Sequence, residues 1–292
     1  MLHKIEESEL IITPKGTIYH LDLAPEQLAD TVITVGDPDR VKEISKYFDR
    51  IEHHVQHREF VTHTGYIGSK RISVISTGIG TDNIDIVMNE LDALANIDFT
   101  TRTIKENIRQ LNIIRLGTSG SLHTDIPVDN FVVSDFGIGL DNLMHYYTYE
   151  LNAEEAELLN KFEMHTSIQQ HKIIPYITSS SRKLSNLFRN NYHHGITVTC
   201  PGFYGPQGRV LRAPIANTQL IDSLTSFNHY LRITNFEMET SAVYGLGKIL
   251  NHHCLSISAI VNNRATKTSS KNVAATIDKM IIETLEIIAA TH

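Results

Sequence analysis

An arginine inside a buried strand is costly unless an anion meets it, and Arg115 stands in such a place. It lies within Ile113–Leu116, an apolar, β-branched run that opens the stretch IIRLGTSGS at 113–121. Gly117, Thr118, Ser119 and Gly120 follow. They predict a sharp turn presenting hydroxyls and bare N–H groups, the equipment for holding a phosphate at a strand end. An arginine paired with a core carboxylate beside an ordinary turn fits the same pattern, and on this stretch alone the two readings stand level. Arg40 has a comparable setting, since GDPDR at 36–40 follows the apolar run TVITV. Gly36 would let a ligand approach the backbone, and Arg40 falls on the first turn of a helix, near its positive end. Asp37 as cap and Pro38 at the first helical position account for the helix start in the same residues.

Three further stretches carry chemistry. Thr199–Arg212, TCPGFYGPQGRVLR, is too rich in glycine and proline to continue a strand. Phe203 can stack on a flat ligand, Gln207 both donates and accepts, and Arg209 only donates, a set suited to a heterocycle bearing carbonyls; a surface loop with incidental polar residues is the alternative. Asn235–Ala242, NFEMETSA, reads as a helix opening. Glu237 and Glu239 are two apart, so on a helix they diverge, one of them facing a ligand beside Met238; two acids complementing the helix dipole is the competing reading. Ala259–Arg264, AIVNNR, is a strand ending in polar residues, where open α/β sheets place ligand groups. In Thr77-Gly78-Ile79-Gly80, Asn83 stands where a dinucleotide fingerprint wants its third glycine, which counts against a nicotinamide or flavin cofactor.

The elements that position these residues alternate. Strands are expected at 31–35, 71–76, 113–116, 130–136, 171–178, 195–199 and 256–261, with a hairpin around Gly65 and Gly68. Helices are expected at 39–48, 83–95, 238–250 and 273–290, and a polar helical excursion at 98–112. That order predicts one α/β domain over the 292 residues, a central mixed sheet flanked by helices, after a polar leader at 1–18. Twenty-six basic against 33 acidic residues give −7, which argues against a nucleic-acid or acidic-membrane partner. Cys200 and Cys254 match no zinc or redox spacing, and the sixteen histidines include adjacent pairs whose side chains diverge, so no metal is expected. With no signal-peptide pattern and no long apolar run, a cytoplasmic protein is expected.

Together these stretches resemble one family. GDPDR at 36–40, HREF at 57–60, STGIG at 76–80, RLGTSG at 115–120, FYGPQGR at 203–209 and FEMET at 236–240 are similar to the motifs of uridine phosphorylases, among the trimeric and hexameric nucleoside phosphorylases. The likeness runs in the family's order from about His20 to the last helix. It implies phosphorolysis of uridine to uracil and ribose 1-phosphate, with inorganic phosphate as co-substrate and no cofactor. It implies a phosphate site of Gly36, Arg40, Arg115 and Thr118, completed by Arg58 from a neighbouring subunit. Met238 and Glu239 would hold the ribose, with His20 from the neighbour. Phe203, Gln207 and Arg209 would hold uracil, with Ser119 and Gly120 lining the base pocket and Arg264 behind Arg209. A homodimer or hexamer with shared sites follows. Glu59 is present for the interface monovalent cation of some bacterial members, but Thr81-Asp82-Asn83 replace their proline and serine, which counts against that cation. A purine phosphorylase or a nucleosidase of the same superfamily is the alternative, and a purine enzyme would show an aspartate where Asn262-Asn263-Arg264 stand. A non-catalytic nucleoside-binding protein is the alternative of another class.

Overall fold

The run TVITV forms β1 (Thr31–Val35), buried at every residue, as expected of a strand with neighbours on both sides and helices on both faces. Asp37 then caps α1 (Pro38–Ser45), accepting the Asp39 N–H at 2.9 Å, with Pro38 at the first helical position. The computed structural model describes residues 4–291. Onward come β2 (Arg50–His57), β3 (Phe60–Ile67), β4 (Lys70–Ser76) and α2 (Thr81–Asn96), then β5 (Ile97–Asp98) and β6 (Thr103–Ile104). The central strand β7 (Asn112–Ser121) and β8 (Phe131–Gly139) lead to α3 (Ala153–Thr166), β9 (Tyr176–Ser179), α4 (Arg182–Ser185) and β10 (His193–Thr199). Last are α5 (Leu220–Ser226), β11 (Ile233–Glu237), α6 (Thr240–Ile249), β12 (His253–Asn263), β13 (Thr268–Ser269) and α7 (Val273–Ala289).

One mixed sheet of eleven strands holds the molecule together, in the order β13-β12-β8-β10-β11-β7-β1-β4-β3-β2 with β9 beside β8. β12 also pairs with β7, so β12, β8, β10, β11 and β7 close into a ring. β1 lies parallel to β4 and β7, and β12 runs parallel to β7 along its whole length. Helices α2 and α6 pack apolar faces on one side, with Leu91, Leu94, Val243 and Leu246 buried; α1 and α7 cover the other with Val41, Ile44, Met280 and Ile281. The α/β reading with a mixed central sheet holds, and the ring is the part that periodicity did not announce.

Local expectations fail at four places. Gly117–Gly120 make no turn: β7 stays paired to β12 through Ser121 and to β11 at Gly120, and neither glycine has a positive φ. Both glycines make room instead. A Cβ at Gly117 would lie 2.0 Å from Arg115 Nη1, and one at Gly120 would lie 2.4 Å from Asn262 Oδ1. The segment 98–112 is not helical, because the Asp98 carboxylate accepts the N–H groups of Thr100 and Thr101 at 2.8 and 2.9 Å, a local turn that competes with helix. The hairpin expected around Gly65 and Gly68 does form, β3 turning into antiparallel β4 at Gly68 with φ +57° and Gly65 inside β3, but the strand expected over 171–178 is confined to Tyr176–Ser179, since Ile168–His171 form a short 3-10 turn ahead of it. Finally, NFE belongs to β11 and α6 begins only at Thr240.

Candidate active site

That last shift decides the electrostatics. With Glu237 at the end of a strand and Glu239 ahead of a helix, the two carboxylates do not diverge; both turn onto Arg115. Arg115 Nη2 lies 3.1 Å from Glu237 Oε2 and also pairs with Glu239 Oε2. All three side chains are buried, at 6, 4 and 5% exposure. Both readings of Arg115 therefore apply, since it has core carboxylates and still lines a cleft. Glu237 is held from every side: it accepts from Thr199 Oγ1 at 2.8 Å and from the N–H groups of Glu239 at 2.8 Å and Thr240 at 3.0 Å. Glu239 Oε1 accepts the Gly80 N–H at 2.8 Å, so the loop Thr77–Gly80 fixes it from across the cleft. Gly80 can do this at φ +97°, a conformation that side chains rarely adopt.

Burial works against the Arg115 charge, but Glu237 and Glu239 outweigh it and hold the guanidinium above its ordinary pKa. Burial raises the Glu239 carboxyl, Arg115 pulls it back and the Glu237 charge adds to the rise. Arg40, on α1, is lowered first by desolvation, against the pull of Asp37, and further by the Arg115 charge. It has no ion-pair partner among the described residues, so the end of the cleft by Gly36 and Thr118 carries cation in need of an anion.

The cleft has a volume of about 730 Å³. Gly36, Arg40, Arg115, Thr118, Ser119, Gly120, Phe203, Gln207, Arg209, Met238 and Glu239 all line it. Gln207 is buried at 3% exposure although its loop is open. Its Oε1 accepts from Arg209 Nη1, and its backbone carbonyl accepts from Arg264 Nη2 at 2.8 Å. Arg209 stacks over Phe203 with Cζ 3.8 Å from the ring centroid. Desolvation, then the like charge of Arg264, lowers the Arg209 pKa. Arg264 itself lies in an adjoining pocket that shares Phe203, Arg209 and Asn262 with the cleft. This end offers several donors to a group bearing partial or full negative charge.

Two expected residues are elsewhere in this chain. Arg58, in the left-handed turn of β2 and β3, donates to Tyr19 Oη at 3.3 Å, and His20 Nδ1 pairs with Glu90 at 2.6 Å. They adjoin one another, because His57 Nδ1 bonds the His20 carbonyl at 2.9 Å, but neither lines the cleft. Sequence reasoning missed Glu237 as the second partner of Arg115, and the only signal was the β-prone run ITNFE ahead of it. It did not single out Phe236 on the cleft wall, whereas the polar strand end it marked at 259–264 does reach the cleft through Asn262. Glu59 does line the cleft.

The family model described as the phosphorylase superfamily matches residues 30–291. The chain belongs to the phosphorylase superfamily. Within the superfamily it is 28% identical to the uridine phosphorylase of Thermococcus kodakarensis over 93% of this chain and 86% of that one. It is 26% identical to a DeoD-type purine nucleoside phosphorylase of Buchnera aphidicola over 91 and 97%. Among solved structures, a Trypanosoma brucei nucleoside phosphorylase with uridine phosphorylase activity superposes with a TM-score of 0.88 at 29% identity, covering 97% of this chain and all of that one. No helix among the described residues is long and apolar enough to cross a membrane.

Proposed function

We propose that the cleft carries out phosphorolysis of uridine, giving uracil and ribose 1-phosphate. One observation carries the reading: Arg40 and Arg115, the buried carboxylate of Glu239, and the buried amide of Gln207 beside Arg209 share a single cleft, and Arg264 supports it from the adjoining pocket through the Gln207 carbonyl. Phosphate held by Gly36, Arg40, Arg115 and Thr118 attacks the anomeric carbon, the C–N bond to N1 of uracil breaks, and its electron pair goes to the base. The positive charge that develops on the sugar lies between the phosphate and Glu239, and the charge on the departing uracil meets Gln207 and Arg209, backed by Arg264. Met238 and Glu239 hold the ribose, and Phe203, Ser119 and Gly120 wall the base.

Arg58 and His20 enter from a second copy of the chain in this reading, so the working unit is a homodimer or a hexamer built of dimers. The named activity of the Thermococcus and Trypanosoma relatives supports the uridine branch. The Buchnera relative keeps the purine branch as the rival. Uracil offers two carbonyls and an N–H in its plane, which match an amide and guanidinium donors; a purine leaves some of those buried groups unpaired.

The test is initial rates on uridine, thymidine, inosine and methylthioadenosine in phosphate buffer. Uridine should exceed inosine by at least about a thousandfold in kcat/KM, the scale set by sites built to hydrogen-bond their substrate. Inosine or methylthioadenosine cleaved as readily as uridine refutes the uracil assignment.

A further inference from the structure

Glu90 is a half-buried acid outside the cleft, and every hydrogen bond its side chain makes among the described residues goes to the pair His20-Leu21. It stands tenth of the sixteen residues of α2, well past the first turn where the helix dipole favours a carboxylate. Its Oε1 meets His20 Nδ1 at 2.6 Å, its Oε2 accepts the Leu21 N–H at 2.8 Å, and both oxygens accept the His20 N–H at 3.1 Å. A carboxylate only accepts, so Nδ1 carries the proton. The other ring nitrogen, Nε2, makes no hydrogen bond among the described residues, and the imidazole keeps 28% exposure.

The surroundings of His20 are fixed as well. His57 Nδ1 bonds its carbonyl at 2.9 Å, the Tyr19 ring meets it edge-on with centroids 4.8 Å apart, and Arg58 Cζ lies 5.4 Å from the Tyr19 centroid. Glu59, next in the chain, lines the cleft, so Arg58 and His20 stand beside the cleft of their own chain without entering it. That is the placement of groups exchanged between two copies related by a twofold axis. In the ribose, the paired 2′- and 3′-hydroxyls suit a carboxylate such as Glu239, which leaves the 5′-hydroxyl, on its exocyclic arm, for a group from outside the chain. We infer that Glu90 is a positioning residue of the shared site: by keeping the proton on Nδ1 and the ring in one orientation, it turns Nε2 to the 5′-hydroxyl of a nucleoside bound in the second copy. The inference rests on the shared-site uridine reading above and deepens it.

Comparison of uridine with 5′-deoxyuridine, which lacks that hydroxyl, isolates the contact in the wild-type protein, His20→Ala, Glu90→Gln, Glu90→Ala and the double variant H20A/E90Q. The wild type should prefer uridine by at least about tenfold in kcat/KM, the scale of one hydrogen bond to a group otherwise left unpaired, and H20A should lose most of that preference. E90Q keeps an acceptor for the backbone N–H groups but presents its NH2 to Nδ1, so the loop stays held while the charge-assisted tie to the ring is lost. It should reduce the preference by at least about threefold, E90A should do so by as much or more, and E90Q should add nothing in the H20A background. A merely structural role would slow both substrates alike and leave the ratio as it is. Nitrogen NMR of the imidazoles, with His20 assigned by its loss in H20A, should show Nδ1 protonated in the wild type. An unchanged ratio in E90Q and E90A where H20A loses it, or a bare Nδ1 in the wild type, overturns the inference and leaves the shared site standing. A wild type indifferent to the 5′-hydroxyl, or H20A with the wild-type ratio, removes His20 from the site and overturns the inference with it, while uridine turnover keeps the phosphorylase reading intact. A wild type with no uridine turnover overturns both.

Discussion

Removing the Arg115 side chain leaves two carboxylates buried side by side with no cation between them. Glu237 and Glu239 are 4 and 5% exposed, and Arg115 is their only ion-pair partner among the described residues. Losing one member of a buried ionic cluster costs about 3–5 kcal/mol, because the remaining charge is uncompensated. The Arg115→Ala protein should therefore be less stable than wild type by about that amount at pH 8. Its pH dependence should separate this cause from a simple cavity. Burial and Glu237 already raise the Glu239 pKa against the pull of Arg115; without Arg115 it rises further above its unfolded value. The unfolded chain then releases its proton at a lower pH than the folded one, so stability is lost as pH rises through the unfolded value and the deficit is largest at alkaline pH. Urea unfolding at fixed protein concentration, at pH 5 and pH 8, should show the deficit shrinking on acidification, and R115A/E239Q should recover much of it at pH 8. A deficit below about 1 kcal/mol at pH 8, or one equal at both pH values, refutes the argument.

Arg58→Ala and Arg115→Ala proteins, each inactive alone, should regain partial uridine turnover when unfolded and refolded together, because hybrid sites with both arginines intact would form; no recovery, or a fully active monomer by light scattering, rejects the shared site. β3, the strand next to the sheet edge, supplies an acid-sensitive element. Burial first, then the charge of His54, holds His63 below the ordinary histidine pKa, and its Nδ1 bonds Ser45 Oγ at 2.7 Å. As pH falls from about 6.5 the unfolded histidine takes up a proton before the folded one, so stability contributed by neutral His63 is lost on acidification. His63→Phe should flatten the stability profile between pH 7.5 and 5.5, and an unchanged slope assigns the acid sensitivity elsewhere.

What was legible in the chain was what local patterning controls. TVITV and the Asp37-Pro38 cap give β1 and α1 because a continuous apolar run and a side-chain cap are decided within a few residues. The glycines of GTSG were misread because glycine serves two ends: at a turn it permits a positive φ, but at 117 and 120 it vacates space for the side chains of Arg115 and Asn262. Only the neighbours across the sheet distinguish these uses. Glu237 was set aside by a helix boundary placed two residues early, which turned convergent carboxylates into divergent ones. Arg40, Arg115, Gln207 and Glu239 were identifiable as residue types in suitable settings, yet their meeting in one cleft depends on β11 closing antiparallel against β7. Nothing local encodes that closure.

The central claim is that phosphate and nucleoside occupy this one cleft together, and the product of the reaction tests it most directly. Phosphorus NMR of the wild-type protein with uridine and inorganic phosphate should show the phosphate signal converting to ribose 1-phosphate, one equivalent per uracil released, and no uracil should form when phosphate is left out. Uracil released at an equal rate without phosphate, with free ribose as the second product, would contradict the account and make the protein a hydrolase; no release under either condition would leave it a binding protein.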